Sequence, residues 1–376
     1  MAGKRASKGG TGTKKTNGNV RRFKLSLNSL LVLVPIAILF EHIRPEAHTL
    51  IFFTACAAII PLAGLMGQAT EQIADRAGEG IGGLLNATFG NAAELIIAIV
   101  ALRAGQVDIV KASLTGSIIG NVLLVLGAAF LAGGLHYKDQ QFSTVTSRAQ
   151  AQMLLVSAVA VTIPALFHAS RPEGLLADEG AISLAISFLL IAVYVLSLVF
   201  SLHTHKHIFQ GSKYRQAHHE AKWSLPVALA VLAVATIFIA WLSEILVGSV
   251  EEAANQIGMS KIFVGVIIVA VIGNAAEHST AIVAALRNRM DLSVGIAIGS
   301  STQIALFVTP LLVFLSYLIA PDPMDLVFTM GETFALVMAA FLTAHTTSNG
   351  HSNWLTGVLL LSLYLIMAVG FFYAPA

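Results

Sequence analysis

Two glutamates carry the chemistry this sequence is equipped to do. Glu94 and Glu277 each close the same word, Gly-Asn-Ala-Ala-Glu, at 90–94 and 273–277. Each lies deep in a long apolar run, where an ionisable side chain is costly and normally faces a partner or a watery path. Glycine weakens a helix, and an asparagine three residues before the glutamate shares its face, so Asn91 and Asn274 belong with the acids. A helix break at Gly-Asn would also release backbone carbonyls. Two carboxylates with carbonyl and amide oxygens make the hard oxygen cage that Ca²⁺ prefers, with about six to eight ligands. No paired Cys or His occurs at this depth, which argues against a soft-metal site.

The same pair can hold protons. Two carboxylates close together in a dry site cannot both ionise cheaply. Two protons or one divalent cation leave such a site with the same net charge, so the two cargoes exclude each other. This is the logic of exchange, with Ca²⁺ and H⁺ as partners and no cofactor. No catalytic residue is expected: there is no nucleophile–base set and no HExxH, since His219-Glu220 runs into Ala-Lys-Trp. A passive pore would not need duplicated, titratable, buried acids. The residues alone leave open an exchanger that uses Na⁺ or K⁺ or moves Mn²⁺.

The glutamates sit within a longer repetition. Residues 90–117 and 273–300 align without gaps at an offset of 183 and share Asn, Glu, Asp and a final Gly-Ser. Shared membrane composition would explain matching Ala and Ile, but not matching polar residues. The chain is therefore read as a duplication. Ser117 and Ser300 correspond across the copies. Asn121, Ser301, Thr302 and Gln303 lie within a turn of them as neutral oxygen donors that could complete coordination or line the path. Ordinary small-residue helix packing is the competing explanation for the serines. Glu71, Asp75 and Glu79 recur at i+4 near one face, with Glu251 and Glu252 near the other. These are candidate acidic mouths that concentrate cations, with Glu71 and Glu252 the members expected on the pathway. Glu244 and Glu332 also fall in apolar surroundings, with no role legible.

The elements that must position these residues are membrane helices. The chain is 56% apolar and 11% charged, against about 25% charged residues in soluble domains. Runs of about 20 apolar residues, long enough to cross a bilayer, recur at 27–43, 49–70, 82–103, 109–133, 150–168, 180–202, 224–248, 261–286, 292–318, 325–345 and 354–373. Strands are excluded by their length and lack of alternation. Residues 1–24 read as a disordered basic tail rather than a cleaved leader. With that tail in the cytoplasm, seventeen of the twenty-two Lys and Arg fall on the cytoplasmic side, as the positive-inside rule requires. The C-terminus is then outside. The repeated words open the third and eighth spans, five helices apart. An odd separation turns the second copy upside down, and inverted repeats place their site near the midplane. The expected organisation is a first helix over 25–48, one five-helix repeat over 49–202, a cytoplasmic linker over 203–222 and a second repeat over 223–376. His203, His205, His207, His218 and His219 make the linker a weak metal or pH candidate, which a solvated basic loop explains as well. The lone cysteine, Cys56, excludes an intramolecular disulfide.

At these residues the sequence resembles the Ca²⁺/cation–proton exchanger (CAX) family of the Ca²⁺/cation antiporter superfamily. The resemblance is carried by GGLLNATFGNAAELI at 82–96, KASLTGSIIGN at 111–121, GNAAEHSTAIV at 273–283 and GSSTQIALFV at 299–308, with weaker support from LHTHKHIF at 202–209 and SNWLTG at 352–357. It implies one extra helix before two inverted five-helix halves, and export of cytosolic Ca²⁺ against inward proton flow. It also implies that Glu94 and Glu277 are the essential carboxylates, with Asn91, Asn274, Ser117, Ser300 and Gln303 in the adjoining motifs. The first helix would be a gating helix, and a homo-trimer is the expected assembly. Where the family reads DGESNWLEG, this chain has NGHSNWLTG at 349–357, placing Asn349, His351 and Thr356 at charged or acidic positions. No nucleic-acid partner is expected. A prokaryotic plasma membrane is the expected location, with a vacuolar membrane second.

Overall fold

A chain in lipid must satisfy its backbone polar groups internally, and the long apolar runs do so as helices. The computed structural model describes residues 27–77, 82, 84–85, 88–170, 179–209 and 223–374. The basic tail, Glu79, His218 and His219 lie outside the described residues. A 3₁₀ turn at Leu27–Val32 leads into α1 (Leu33–Ile43), followed by α2 (His48–Ala77), α3 (Ala92–Arg103), α4 (Val107–His136), α5 (Thr144–Ser170) and α6 (Glu179–Thr204). The second half holds α7 (Leu225–Ile257), α8 (Lys261–Gly273), α9 (Ala275–Leu286), α10 (Met290–Ile319), α11 (Met330–Thr346) and α12 (Trp354–Phe372).

Seven of these helices are long and apolar enough to cross a membrane, or eight if α8 and α9, bent by 62°, form one crossing. The spans read at 27–43, 82–103 and 325–345 correspond to shorter helices, α1, α3 and α11. The regular helix α3 begins only at Ala92, because Gly90 and Asn91 form a turn. Two helices outrun their expected spans. α2 continues to Ala77 and carries Glu71 and Asp75 on its last turns, and α7 continues to Ile257 with Glu251 and Glu252.

The helices that carry the repeated words form the centre. α7 packs along α2, and α1 lies against both. α4 crosses α8 where glycine is required on each side: a Cβ on Gly116 would run into the Val266 carbonyl, and one on Gly265 into Ala112. Small residues of this kind let membrane helices approach closely. Three π-helical stretches, Gly120–Val125 in α4, Val264–Val269 in α8 and Ile304–Val308 in α10, interrupt the regular ladder around this crossing. Such turns mark functional sites more often than chance. The first and third fall at nearly matching places in the two copies.

The loop NGHSNWLTG closes one end of the bundle. Its His351–Ser352 (β2) pairs antiparallel with Gln140–Gln141 (β1), and His351 meets Asp139 at 3.0 Å. Asn353 caps α12 by accepting from the Thr356 amide at 3.0 Å. Glu332, for which the sequence suggested no role, is buried in the first turn of α11. It completes a reciprocal cap with Thr329 and accepts from Thr115 of α4. Lys111 of α4 pairs with Asp325 and donates to the Val327 carbonyl at 2.9 Å, fastening the same corner.

Candidate cation site between the repeats

Each glutamate stands just beyond a helix break made by its own motif. Asn91 (φ −103°, ψ 28°) ends the turn before α3, and Asn274 (φ −92°, ψ 4°) separates α8 from α9. The two asparagines thus hold similar non-helical geometry at repeated positions. Both are almost wholly buried, in surroundings where an unpaired polar group is expensive.

Their partners come from the opposite copy. Asn274 donates to the Ser117 hydroxyl at 2.9 Å and to the Ala270 carbonyl at 2.9 Å. Ser300 donates to the Asn91 carbonyl at 2.8 Å, and Asn91 donates to Gln303 at 2.9 Å. The matched pairs of the repeat, Asn91 with Asn274 and Ser117 with Ser300, are therefore exchanged between copies. Asn121 joins them by donating to Ser300 at 3.1 Å.

The two carboxyl groups share this polar centre. Glu94 and Glu277 are near enough to interact electrostatically, and Ser300 lies beside Glu277. Glu94 Oε2, Glu277 Oε2 and Asn274 Oδ1 are buried and have no hydrogen-bond partner among the described residues. Buried polar atoms are almost always satisfied, so three orphaned oxygens in one place form an arrangement suited to a cation or to protons on the carboxylates. Gly273 leaves room for the Glu94 side chain, since a Cβ there would sit 3.3 Å from its Cγ and 3.5 Å from its Oε1. A cavity of about 10 Å³, lined by Glu94, Ser113, Ser117 and Gly273 among others, adjoins Glu94; this is near the lower limit for holding one water-sized particle.

A larger cavity of about 550 Å³ lies further along α3. Val100 and Ala104 line it and continue the stripe of Ile97, which lines the small cavity. Glu244, Gly248, Glu251 and Glu252 line its other wall at helical spacing along α7. Arg103 also faces this cavity, and Glu251 pairs with Lys261 at 2.6 Å. Glu252 thus borders a cavity as an acidic mouth would, joined by Glu244.

The remaining candidates separate. Ser301 spends its hydroxyl on the Ile118 and Ala297 carbonyls at 3.2 and 3.0 Å, and Thr302 bonds the Ile298 carbonyl at 2.8 Å. Both act in helix packing. Glu71 is exposed near the end of α2 and borders neither cavity. One residue not singled out from sequence enters the centre: His278 Nε2 meets Asn121 Oδ1 at 3.1 Å. The signal was a polar residue next to Glu277 where the first copy has Leu95.

A bundle of membrane helices whose two repeated acid motifs meet at one buried centre is the architecture of an ion exchanger. The chain belongs to the sodium/calcium exchanger protein family, whose pattern matches residues 47–203 and 227–373. It is 47% identical over 86% of its length to the Ca²⁺/H⁺ antiporter ChaA of Bacillus subtilis (strain 168), covering 92% of that protein. It is 40% identical to the vacuolar calcium ion transporter of Schizosaccharomyces pombe, covering 93% of this chain and 85% of the relative. The solved structure of native YfkE superposes with a TM-score of 0.80 at 41% identity, covering 93% of this chain and all of that one. This chain is a transporter, not an enzyme.

Proposed function

We propose that this chain is a secondary antiporter that exchanges cytosolic Ca²⁺ for protons by alternating access, with Glu94 and Glu277 as the carboxylates both cargoes share. The observation that carries the reading is the trio of buried oxygens without partners, one from each glutamate and one from Asn274. Asn91, Ser117, Ser300 and Gln303 complete the site as polar neighbours. The relatives' designation as Ca²⁺/H⁺ antiporters supports the choice of ions. The 550 Å³ cavity with Glu244, Glu251 and Glu252 serves as an antechamber on one face.

The same reading gives the chain eleven spans: a first helix, then two inverted five-helix halves. The basic tail and the 203–222 linker lie in the cytoplasm, and the C-terminus and the antechamber lie outside. The supporting observations are the bias of Lys and Arg to one set of loops and the exchange of Asn–Ser partners between copies. A prokaryotic plasma membrane is the location this fits.

Proton-driven Ca²⁺ uptake into inverted membrane vesicles tests the assignment. Glu94→Gln and Glu277→Gln should each abolish it while the protein still inserts and folds. Retained uptake in both variants overturns the site. Collapsing H⁺, Na⁺ and K⁺ gradients in turn separates proton coupling from its rivals.

A further inference from the structure

The polar centre has a direction. Asn91 donates to Gln303, Ser300 to Asn91 and Asn121 to Ser300. Asn121 uses its amide N–H on Ser300, so its carbonyl oxygen faces His278 at 3.1 Å. That contact requires a hydrogen on His278 Nε2, because two acceptors would repel. His278 is therefore the first donor of a chain running His278 to Asn121 to Ser300 to Asn91 to Gln303, across α9, α4, α10, the turn before α3 and back to α10.

The chain exists on one side of the repeat only. At the offset of 183, His278 corresponds to Leu95 and Asn121 to Ile304. Two polar residues that each lack a polar counterpart in the other copy touch one another in the fold. Their effect is to give the carbonyl oxygens of Asn91 and Gln303 a hydrogen-bond donor each. Asn274, whose two amide hydrogens are spent on Ser117 and Ala270, keeps its oxygen without a partner. Near-identical asparagines are thus held in unequal states.

We infer that Asn121 and His278 are positioning residues for the exchange site, fixing Ser300 and Asn91 so that Asn274 is the asparagine whose oxygen is free for the cation. Neither is assigned to touch Ca²⁺. This rests on the proposed Glu94/Glu277 site and adds a division of labour among its neighbours.

A double-mutant cycle in the full-length protein tests it, reading the Ca²⁺ KM and maximal rate of proton-driven uptake in inverted vesicles at fixed pH. His278→Leu and Asn121→Leu should each raise KM about tenfold, the size expected when a buried polar group loses its partner, with a smaller fall in maximal rate. The double variant should also stand at about tenfold, because residues acting through one contact are not additive. His278→Gln, whose amide N–H reaches the Nε2 position, should restore KM to within about threefold of the parent, as a retained hydrogen bond predicts. A double variant near the product of the two single effects, unaltered KM in the single variants, or His278→Gln equal to His278→Leu overturns the inference. If Asn121→Leu does not fold, the comparison of His278→Leu with His278→Gln decides alone. Glu94→Gln and Glu277→Gln in the same vesicles keep the two questions apart. Uptake in both refutes the site itself, whereas their loss of uptake beside an additive cycle refutes only the positioning role.

Discussion

Asn274, at the break between α8 and α9, donates its amide hydrogen to the hydroxyl of Ser117 on α4 across 2.9 Å. The bond ties the helix break of one copy to the serine of the other, and its counterpart runs from Ser300 to Asn91 at 2.8 Å. Each motif therefore completes the other's site. The consequences are unequal, because Ser117 joins one such bond whereas Ser300 stands in the middle of a chain.

Removing the two hydroxyls should separate the copies. Ser117→Ala takes one acceptor from Asn274, which keeps its bond to Ala270. Ser300→Ala takes a donor from Asn91 and an acceptor from Asn121. At on the order of 1 kcal/mol per bond, Ser300→Ala should raise the Ca²⁺ KM more than Ser117→Ala, by roughly another fivefold in vesicle uptake. Equal effects would count against the asymmetry.

The α4–α8 crossing should be intolerant of volume. Gly116→Ala forces a methyl group against the Val266 carbonyl and should destabilise by about 1–3 kcal/mol, seen as a lower melting temperature of the purified protein. Gly67→Ala in α2, where nothing lies within 4 Å of the new methyl, should be neutral or stabilise by up to about 1 kcal/mol through helix propensity.

Neutralising the antechamber should act on encounter rather than chemistry. Glu244→Gln, Glu251→Gln and Glu252→Gln together should weaken Ca²⁺ capture from that face by several-fold at low ionic strength. The difference should shrink at about 1 M salt, where the screening length falls to about 3 Å. Flux measured with Ca²⁺ added to each face in turn checks this. An effect confined to the cytoplasmic face would reverse the proposed orientation.

Charge balance gives a further test. If the two carboxylates hold two protons in one half-cycle and one Ca²⁺ in the other, exchange is electroneutral. Uptake under an imposed proton gradient should then be the same with the membrane potential clamped at zero or at about 100 mV, where one uncompensated charge would contribute about 2.3 kcal/mol. A potential-dependent rate would require a further titrating group.

Much of the centre was legible because it is written twice. A costly residue repeated in identical words, Asn91 to Glu94 and Asn274 to Glu277, stands out against an apolar background. The Gly-Asn pairs also announced the breaks that appear at both sites. His278 breaks the repeat and so carries no such signal, and Ser301, though next to Ser300 in sequence, bonds the Ile118 and Ala297 carbonyls because adjacent residues on a helix do not share a face. Glu332 looked like a stray intramembrane acid, since its cap with Thr329 and its bond to Thr115 depend on where α11 meets α4.

The sequence by itself determined the membrane class, the duplication and the recurrence of a glutamate at matching places in two apolar runs, because composition, repetition and the cost of burying charge are local properties of the chain. Only the tertiary structure decided who partners whom. Asn274 finds Ser117 from 157 positions away, and Asn91 finds Gln303 from 212. Hydrogen-bond direction depends on which helices cross and at what distance, and glycine contacts such as Gly116 on Val266 set that distance. The inequality of two nearly identical asparagines arises there, from packing between copies rather than from either motif.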